Sequence, residues 1–281
     1  MDCIVCGQDM TRWLDHRIFR CSKCRHLSSA FPNVVPGRAE QELDEVQRQS
    51  GLRELRIANA ARILTEVRKR VEVQNPTLCD VGSGHGWFLD AAQKAGFQAT
   101  GIEPDREVAK GAISRGLSVR IGMFPDCLQT SDTFDVIVFN DVFEHLHALP
   151  LVIDSCKLHL RQHGVIVLVL PTSDGLLFRI AAILKRIQVR KPWDRLWQRD
   201  FPCPHTHYFS AKGLRQLMFN QGLHLEYESE LPSYYLKGLW SRIRMETKIG
   251  FFRAGLSYLF LLLLWPLMRL SRSDNLLQIY R

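Results

Sequence analysis

TLCDVGSGHGWFLDAAQKAGFQATGIEPD, residues 77–105 of a 281-residue chain, is the stretch whose reading decides the fold. Thr77, Leu78 and Cys79 form a short run that ends in Asp80, and the glycine loop Gly82-Ser83-Gly84-His85-Gly86 follows. Trp87, Phe88, Ala91, Ala92 and Ala95 then recur at helical spacing until Gly96 closes the segment. A second apolar run, Ala99 to Ile102, ends in Glu103. Strand, glycine turn, helix, strand and terminal acid make half of a nucleotide-binding α/β unit. Glycine suits such a loop because the backbone must turn sharply and approach a ligand closely, which a Cβ would obstruct. An acid closing the second strand can accept hydrogen bonds from both hydroxyls of a ribose.

The loop reads GxGxG, not GxGxxG, and Asp80 stands two residues before its first glycine. Together with Glu103 this resembles the class I S-adenosylmethionine-dependent methyltransferases, whose first motif has the form (D/E)xGxGxG. The resemblance implies a doubly wound α/β fold with a seven-stranded, mostly parallel sheet. It also implies that Asp80, Gly82, Ser83, Gly84 and Gly86 hold the amino-acid part of the cofactor and Glu103 its ribose. An ordinary Gly-rich strand-to-helix turn is the alternative reading of the glycines alone.

Beyond Glu103 the alternation continues, with a helix over Arg106–Arg115, a strand over Ser118–Ile121 and a buried strand over Phe134–Asp141. Asn140-Asp141-Val142-Phe143-Glu144-His145-Leu146 resembles the family segment xxVLEHL. Open α/β sheets bind ligands beyond the carboxyl ends of their strands, so Asn140, Asp141 and His145 are expected to face the cleft. The family often places an acid after the third strand, but Gly122-Met123-Phe124 stands here, with Asp126 later. Met123 and Phe124 are therefore candidates to sandwich an adenine ring. A helix over Leu149–Leu160 and a strand over Val165–Leu170, bounded by Gly164 and Pro171, complete this part.

Residues 173–204 lengthen the usual link after that strand. Leu176–Ile187 reads as a helix, and Pro192-Trp193 and Trp197 with the nearby cations suggest a substrate lid. His205-Thr206-His207-Tyr208-Phe209-Ser210 resembles the HxHYFS segment of many bacterial methyltransferases. Ser210 suits an N-cap for a helix over Ala211–Gln221, and Leu223–Tyr227 alternates like a half-buried strand. Cys203, His205 and His207 share one face of an extended chain, which leaves a metal site, a substrate-facing histidine pair and simple packing as readings. A methyl sulfonium is already activated, so holding the acceptor in line supplies much of the acceleration. A base is needed chiefly when a hydroxyl must lose its proton; His145 is the first candidate and His207 the second.

Ahead of this core, Cys3-Ile4-Val5-Cys6-Gly7 and Cys21-Ser22-Lys23-Cys24 are two CxxC pairs separated by fourteen residues. Cys3, Cys6, Cys21 and Cys24 can supply four thiolates to one tetrahedral zinc, a closed site suited to a structural role. The arrangement resembles the zinc ribbons found ahead of some bacterial methyltransferases. Two redox CxxC motifs or an unmetallated cysteine set are the other readings, and His16 and His26 are alternative ligands. Pro32–Gly37 reads as a linker, and residues 39–73 as a helix; the methyltransferase resemblance implies a cap that helps cover the cofactor, and a simple packing helix is the equal reading.

The chain is 46% hydrophobic and 23% charged, ordinary for a globular protein, with a formal net charge of +8. The excess is concentrated in residues 179–199 and 237–253, which suggests an anionic surface or substrate, with a solvated face as the equal reading for either patch alone. The modest charge of the cysteine segment argues against a nucleic-acid partner. Met1-Asp2-Cys3 lacks the pattern of a signal peptide, so the cytoplasm, or the cytoplasmic face of a membrane, is the expected location. Residues 254–268 carry no charge and lie between Arg253 and Arg269. An interfacial or re-entrant helix, giving peripheral membrane contact through 249–269, is favoured over a packed core helix or a span. Asp274–Arg281 resembles the last strand of the methyltransferase sheet.

The expected organisation is a zinc-ribbon-like module at 1–30, a linker and helical cap at 31–74 and a core at 75–235 with the lid insertion 173–204. A membrane-interfacial segment at 236–272 and a final strand at 273–281 follow. The expected activity is transfer of the sulfonium methyl group to oxygen of a glycan, a lipid-linked molecule or another small molecule. A non-catalytic scaffold and a nicotinamide-dependent oxidoreductase are the rival readings.

Overall fold

The computed structural model describes residues 1–32, 45–199, 201–236, 238–244 and 250–281. The expected linker, apart from Pro32, and the start of the expected cap helix lie outside the described residues. Three short strands, β1 (Met10–Trp13), β2 (Asp15–Cys21) and β3 (Leu27–Ser29), come first, and α1 (Glu45–Arg68) follows. Strands and helices then alternate as β4 (Thr77–Val81), α2 (Trp87–Lys94), β5 (Gln98–Glu103), α3 (Arg106–Ser114) and β6 (Val119–Ile121). The series continues with β7 (Phe134–Asn140), a 3-10 turn at Phe143–His145, α4 (Leu149–His159) and β8 (Leu160–Pro171). Helices α5 (Leu176–Arg186) and α6 (Lys191–Leu196) precede β9 (His207–Tyr208) and α7 (Ala211–Asn220). The last elements are β10 (Leu225–Leu231), α8 (Leu239–Arg244), α9 (Phe251–Leu270) and β11 (Asn275–Tyr280).

These elements form two compact units. One comprises Arg56–Leu170, Arg215–Ser229 and Leu276–Arg281. It carries the seven-stranded sheet, in the order β10-β11-β8-β7-β4-β5-β6. β4 pairs in parallel with β5 and β7, β5 with β6, and β7 with β8. Strand order runs outward from β4 to β6 and then reverses from β7 to β8, the doubly wound pattern with its switch point between β4 and β7. The continuous apolar runs explain this: Phe134–Phe139 and Gly164–Leu170 are buried throughout, as a parallel sheet covered on both faces requires. The final strand lies between β8 and β10, as expected. His224 and Arg281 exchange reciprocal backbone hydrogen bonds of 2.7 and 2.9 Å, the signature of antiparallel pairing with β10.

The other unit comprises Met1–Leu55, Pro171–Leu214 and Glu230–Asn275. Its sheet has the order β1-β2-β3-β9, so the cysteine hairpin is completed by a strand some 180 residues away, from the HxHYFS segment. The unit's core joins Ile18, Leu27 and Phe31 to Phe178, Ala181, Ala182, Trp193, Trp197 and Tyr208. This corrects the lid expectation for the aromatics. Trp193 and Trp197 are fully buried and serve as core side chains, because so small a sheet needs large rings to fill its interior. The basic run is also less free than its sequence suggests: Lys185 Nζ lies 3.0 Å from Asp15 Oδ2, and Arg199 lies 3.6 Å from the same atom. Burial raises the Asp15 carboxyl, but these cations and the Arg17 amide outweigh it and hold it below its ordinary value.

Helix α9 extends the apolar stretch to 20 residues, ~30 Å at 1.5 Å per residue, with Pro266 inside it. By length and composition it could cross a membrane. Its exposed side chains do not fit a packed core helix. Phe252, Leu256, Leu259, Phe260, Leu263, Leu267 and Leu270 are all exposed and fall on one helical stripe. Ala254 on the opposite side is buried, and the Tyr234 hydroxyl donates to the Leu261 carbonyl at 2.8 Å.

Replacing Asp15 with alanine strands the buried Lys185 ammonium without its carboxylate. Asp15→Ala is expected to destabilise its unit by about 3 kcal/mol, read as a lower urea midpoint for tryptophan fluorescence. An unchanged midpoint would show that the ion cluster contributes nothing.

Candidate functional site

The site is built at the carboxyl ends of β4, β5 and β7. Register places Asp80 opposite Gly101 on one side and Val138 on the other, so the strands end together. Gly82 N and Ser83 N both donate to the Ile102 carbonyl, at 2.8 and 3.0 Å, and this ties the glycine loop to the end of β5. Glu103, itself buried, then accepts from Gly84 N at 2.9 Å and from Asp105 N at 3.0 Å. Two glycines are required by geometry. Gly82 has φ +70°, and a Cβ there would lie 2.5 Å from Val142 Cγ2. Gly84 has φ +54° and faces open space, so it leaves bare backbone toward whatever enters.

Beneath the loop, the Asp80 carboxyl is buried, and its Oδ2 has no hydrogen-bond partner among the described residues. Burial first, and the charge of Glu103 second, push its pKa up to about 8. The Ser83 hydroxyl is likewise buried without a partner among the described residues. An unsatisfied acid, an unsatisfied hydroxyl and an open glycine face suit a ligand that carries both donors and acceptors.

Asn140, half-buried, ends β7, and Asp141 follows, exposed and in a left-handed conformation at φ +58°. Asp141 N donates to Val169 O at 2.9 Å, which seats this turn against the end of β8. The 3-10 turn buries Phe143 and Glu144 and leaves His145 half-buried, with Nε2 4.0 Å from Glu144 Oε1. Burial, reinforced by Asp141, drives the Glu144 carboxyl well above its ordinary value. Sequence reasoning singled out His145 but not Glu144; an acid flanked by Phe143 within an apolar segment was the available signal. Of the expected adenine neighbours, Phe124 meets Phe139 edge-on at 5.6 Å, and Met123 is exposed.

Asp80, Gly82, Ser83, Gly84, Gly86, Glu103, Asn140, Asp141 and His145 thus all belong to one unit. His207 belongs to the other, where it is buried in β9 with Nδ1 3.2 Å from His26 Nε2. His26 therefore faces a histidine instead of acting as a spare cysteine-site ligand, and His16 pairs with Asp15 at 3.2 Å. Cys203 is exposed, and among the described residues it joins no metal-capable group.

The sulfurs of Cys3, Cys6, Cys21 and Cys24 all lie within 4.8 Å of one another, with Cys3–Cys24 at 3.3 Å and Cys6–Cys21 at 3.4 Å. A tetrahedral zinc with ~2.3 Å Zn–S bonds needs sulfurs about 3.8 Å apart, and the donor set fits. Burial pushes the Cys3 and Cys24 thiols up. At Cys21 burial acts the same way, but the Cys24 amide and the Cys6 thiol outweigh it and lower the thiol to about 7.

Residues 48–228 match the protein family described as methyltransferase domain. A ubiquinone biosynthesis O-methyltransferase from Actinobacillus pleuropneumoniae serotype 5b (strain L20) is 35% identical over 98 residues. That alignment covers 31% of this chain and 42% of the relative, so the chain spans less than half of the relative's length. The complex between the Haloferax volcanii Trm112 methyltransferase activator and a methyltransferase contains a similar chain, with TM-score 0.55 at 16% identity. The likeness covers 85% of this chain and 95% of that one. A sarcosine dimethylglycine methyltransferase from Galdieria sulphuraria has TM-score 0.53 at 17% identity, over 85% of this chain and 91% of that one. At these identities the two structures establish a common fold.

The raised Asp80 carboxyl has a signed consequence for the cofactor-free protein. The fold favours its neutral form, so its contribution to stability is full below the ordinary value of 3.8 and is lost as pH rises to about 8. Asp80→Asn cannot ionise. It is expected to exceed wild type in stability at about pH 8.5 by on the order of a few kcal/mol, with the gap closing toward about pH 4. Denaturant titrations across that range check this; a gap independent of pH would refute it.

Proposed function

The chain belongs to the methyltransferase-domain family; from that premise we propose that it is an S-adenosylmethionine-dependent methyltransferase whose acceptor presents a hydroxyl oxygen. The acceptor is a glycan, a lipid-linked molecule or another small molecule. The relative's name as an O-methyltransferase supports oxygen as the accepting atom. The family match sets aside the nicotinamide reading.

The observation that carries the binding site is the bond from Gly84 N to Glu103 Oε2 beside Asp80, whose buried Oδ2 has no partner among the described residues. Glu103 would turn its carboxylate to the ribose hydroxyls, while Asp80, Gly82, Ser83, Gly84 and Gly86 hold the amino-acid part and Asn140 and Asp141 line the cleft. When bound, S-adenosylmethionine supplies a methyl group already activated on a sulfonium. The chain's part is to hold the acceptor oxygen in line and to take its proton. His145 is the proposed base, with buried Glu144 beside it, and His207 is the second candidate.

We assign Cys3, Cys6, Cys21 and Cys24 to a structural zinc, a closed site that takes no part in methyl transfer. The protein acts in the cytoplasm, in peripheral contact with the inner face of the membrane through 249–269. The exposed stripe of α9 and its cations Arg253 and Arg269, with no acid between 250 and 273, support that contact.

Calorimetric titration with S-adenosylmethionine tests the site. Glu103→Ala is expected to weaken binding by about 1.5–3 kcal/mol, the worth of hydrogen bonds to a charged group. Gly84→Val, which puts a β-branched residue at φ +54°, should weaken it comparably. Retention of wild-type affinity by both variants would remove this assignment. Sedimentation with vesicles tests the membrane contact: anionic vesicles should retain the protein, and Leu263→Glu together with Arg269→Glu should release it. Equal recovery with neutral and anionic vesicles would count against the basic flanks.

A further inference from the structure

The segment that follows the second CxxC pair and the HxHYFS segment are held together more closely than a shared sheet edge demands. Cys21 N donates to His26 O at 2.9 Å and Arg25 N donates to Cys21 O at 3.1 Å, so the cysteine knuckle closes onto His26. His26 is fully buried, with Nε2 3.2 Å from His207 Nδ1 and its ring 4.5 Å from that of Phe209. The next three residues continue the grip. Leu27 and Ser28 pair with Tyr208 and His207 across β3 and β9. Ser29 N donates to Thr206 O at 2.8 Å, and Ser29 Oγ donates to His205 O at 2.6 Å. Phe209, at the far end, has its carbonyl bound by Thr172 Oγ1 at 3.0 Å and by Ser173 N at 2.9 Å, immediately after β8.

We infer that the four-cysteine knuckle is the positioning device for the HxHYFS segment, and that His26 is the positioning residue through which metal occupancy reaches His207. The inference rests on the proposed zinc site. A metal bound by Cys21 and Cys24 fixes the backbone turn that ends two residues before His26. The buried nitrogen-to-nitrogen contact then fixes which nitrogen of His207 carries the proton, since one partner must donate and the other accept. Without the metal, four thiols within 4.8 Å of one another crowd together and the turn is held by its own hydrogen bonds. The slack would pass directly into β3 and from there into β9. The role differs from that of a detached stabilising module, because its effect falls on residues 205–209 before the rest of the chain.

The test uses the zinc-loaded chain and two variants. His26→Leu keeps the volume and removes the polar contact; His26→Gln returns a polar atom near the position of Nε2. Both are expected to bind one zinc and to keep the S-adenosylmethionine Kd within about twofold of wild type. In His26→Leu the side-chain nitrogen shifts of His207 should move to those of a changed tautomer mixture, and in His26→Gln they should return toward wild type. In parallel, chelating the zinc should speed amide exchange at Thr206–Phe209 while β4 keeps its protection. Unchanged His207 shifts in His26→Leu, or unchanged exchange at 206–209 after chelation, would overturn the inference. Failure of wild type to bind zinc would overturn it together with the zinc site. Loss of S-adenosylmethionine binding in wild type would instead strike the proposed function and leave the coupling standing.

Discussion

Parallel pairing of β4 with β5 on one side and β7 on the other is the constraint from which the candidate site follows. A parallel neighbour cannot be reached by a hairpin, so each connection crosses back and every strand-to-helix turn falls at the same edge. Asp80, the glycine loop and Glu103 are therefore gathered by topology before any ligand is considered. The same closeness has an electrostatic result: Asp80 is buried in range of Glu103, and its proton is held far above the ordinary carboxylate range. A buried acid oxygen without a partner costs about 1–3 kcal/mol. A ligand donor that reached Asp80 Oδ2 would relieve that cost, which links the instability of the edge to its use.

The smaller sheet solves a different problem. Three short strands and a cysteine cluster cannot bury enough apolar surface alone. The unit takes its fourth strand from residues 207–208 and its largest side chains, Trp193 and Trp197, from the link after β8. Asp15 is the electrostatic counterpart. Its carboxylate neutralises Lys185 inside the unit and draws in Arg199, which removes two cations from a run that reads as a basic surface. A charge run in sequence reports composition, and only the fold says which members face water.

Much of the larger unit was legible because its signals are local. The strand ending in Asp80, the glycine turn, the helix closing before Gly96 and the acid Glu103 lie within 29 consecutive residues and appear as read, with ends displaced by a residue or two. Ser210 caps α7 as expected, with Gly213 N donating to its hydroxyl at 3.0 Å. The readings that changed all depended on distant partners. His26 looked like a spare ligand because it sits two residues after Cys24, yet its partner is His207, 181 residues away. Trp193 and Trp197, beside cations, suggested an exposed lid until the hairpin at the other end of the chain supplied the surface that buries them.

By itself, the sequence determined the alternation of strands and helices from β4 to β8, the placement of an acid and a glycine loop at the end of β4, and four thiols at metal-binding spacing. Each of these follows from residue type and spacing over a few turns of chain, where backbone sterics and hydrophobic periodicity are decisive. Tertiary structure decided which side chains are buried, which charges are spent on each other, and that the cysteine knuckle and the HxHYFS segment share one sheet. Those outcomes depend on pairings between segments far apart in the chain, and a strand as short as His207–Tyr208 carries no signal of its partner until the partner is beside it.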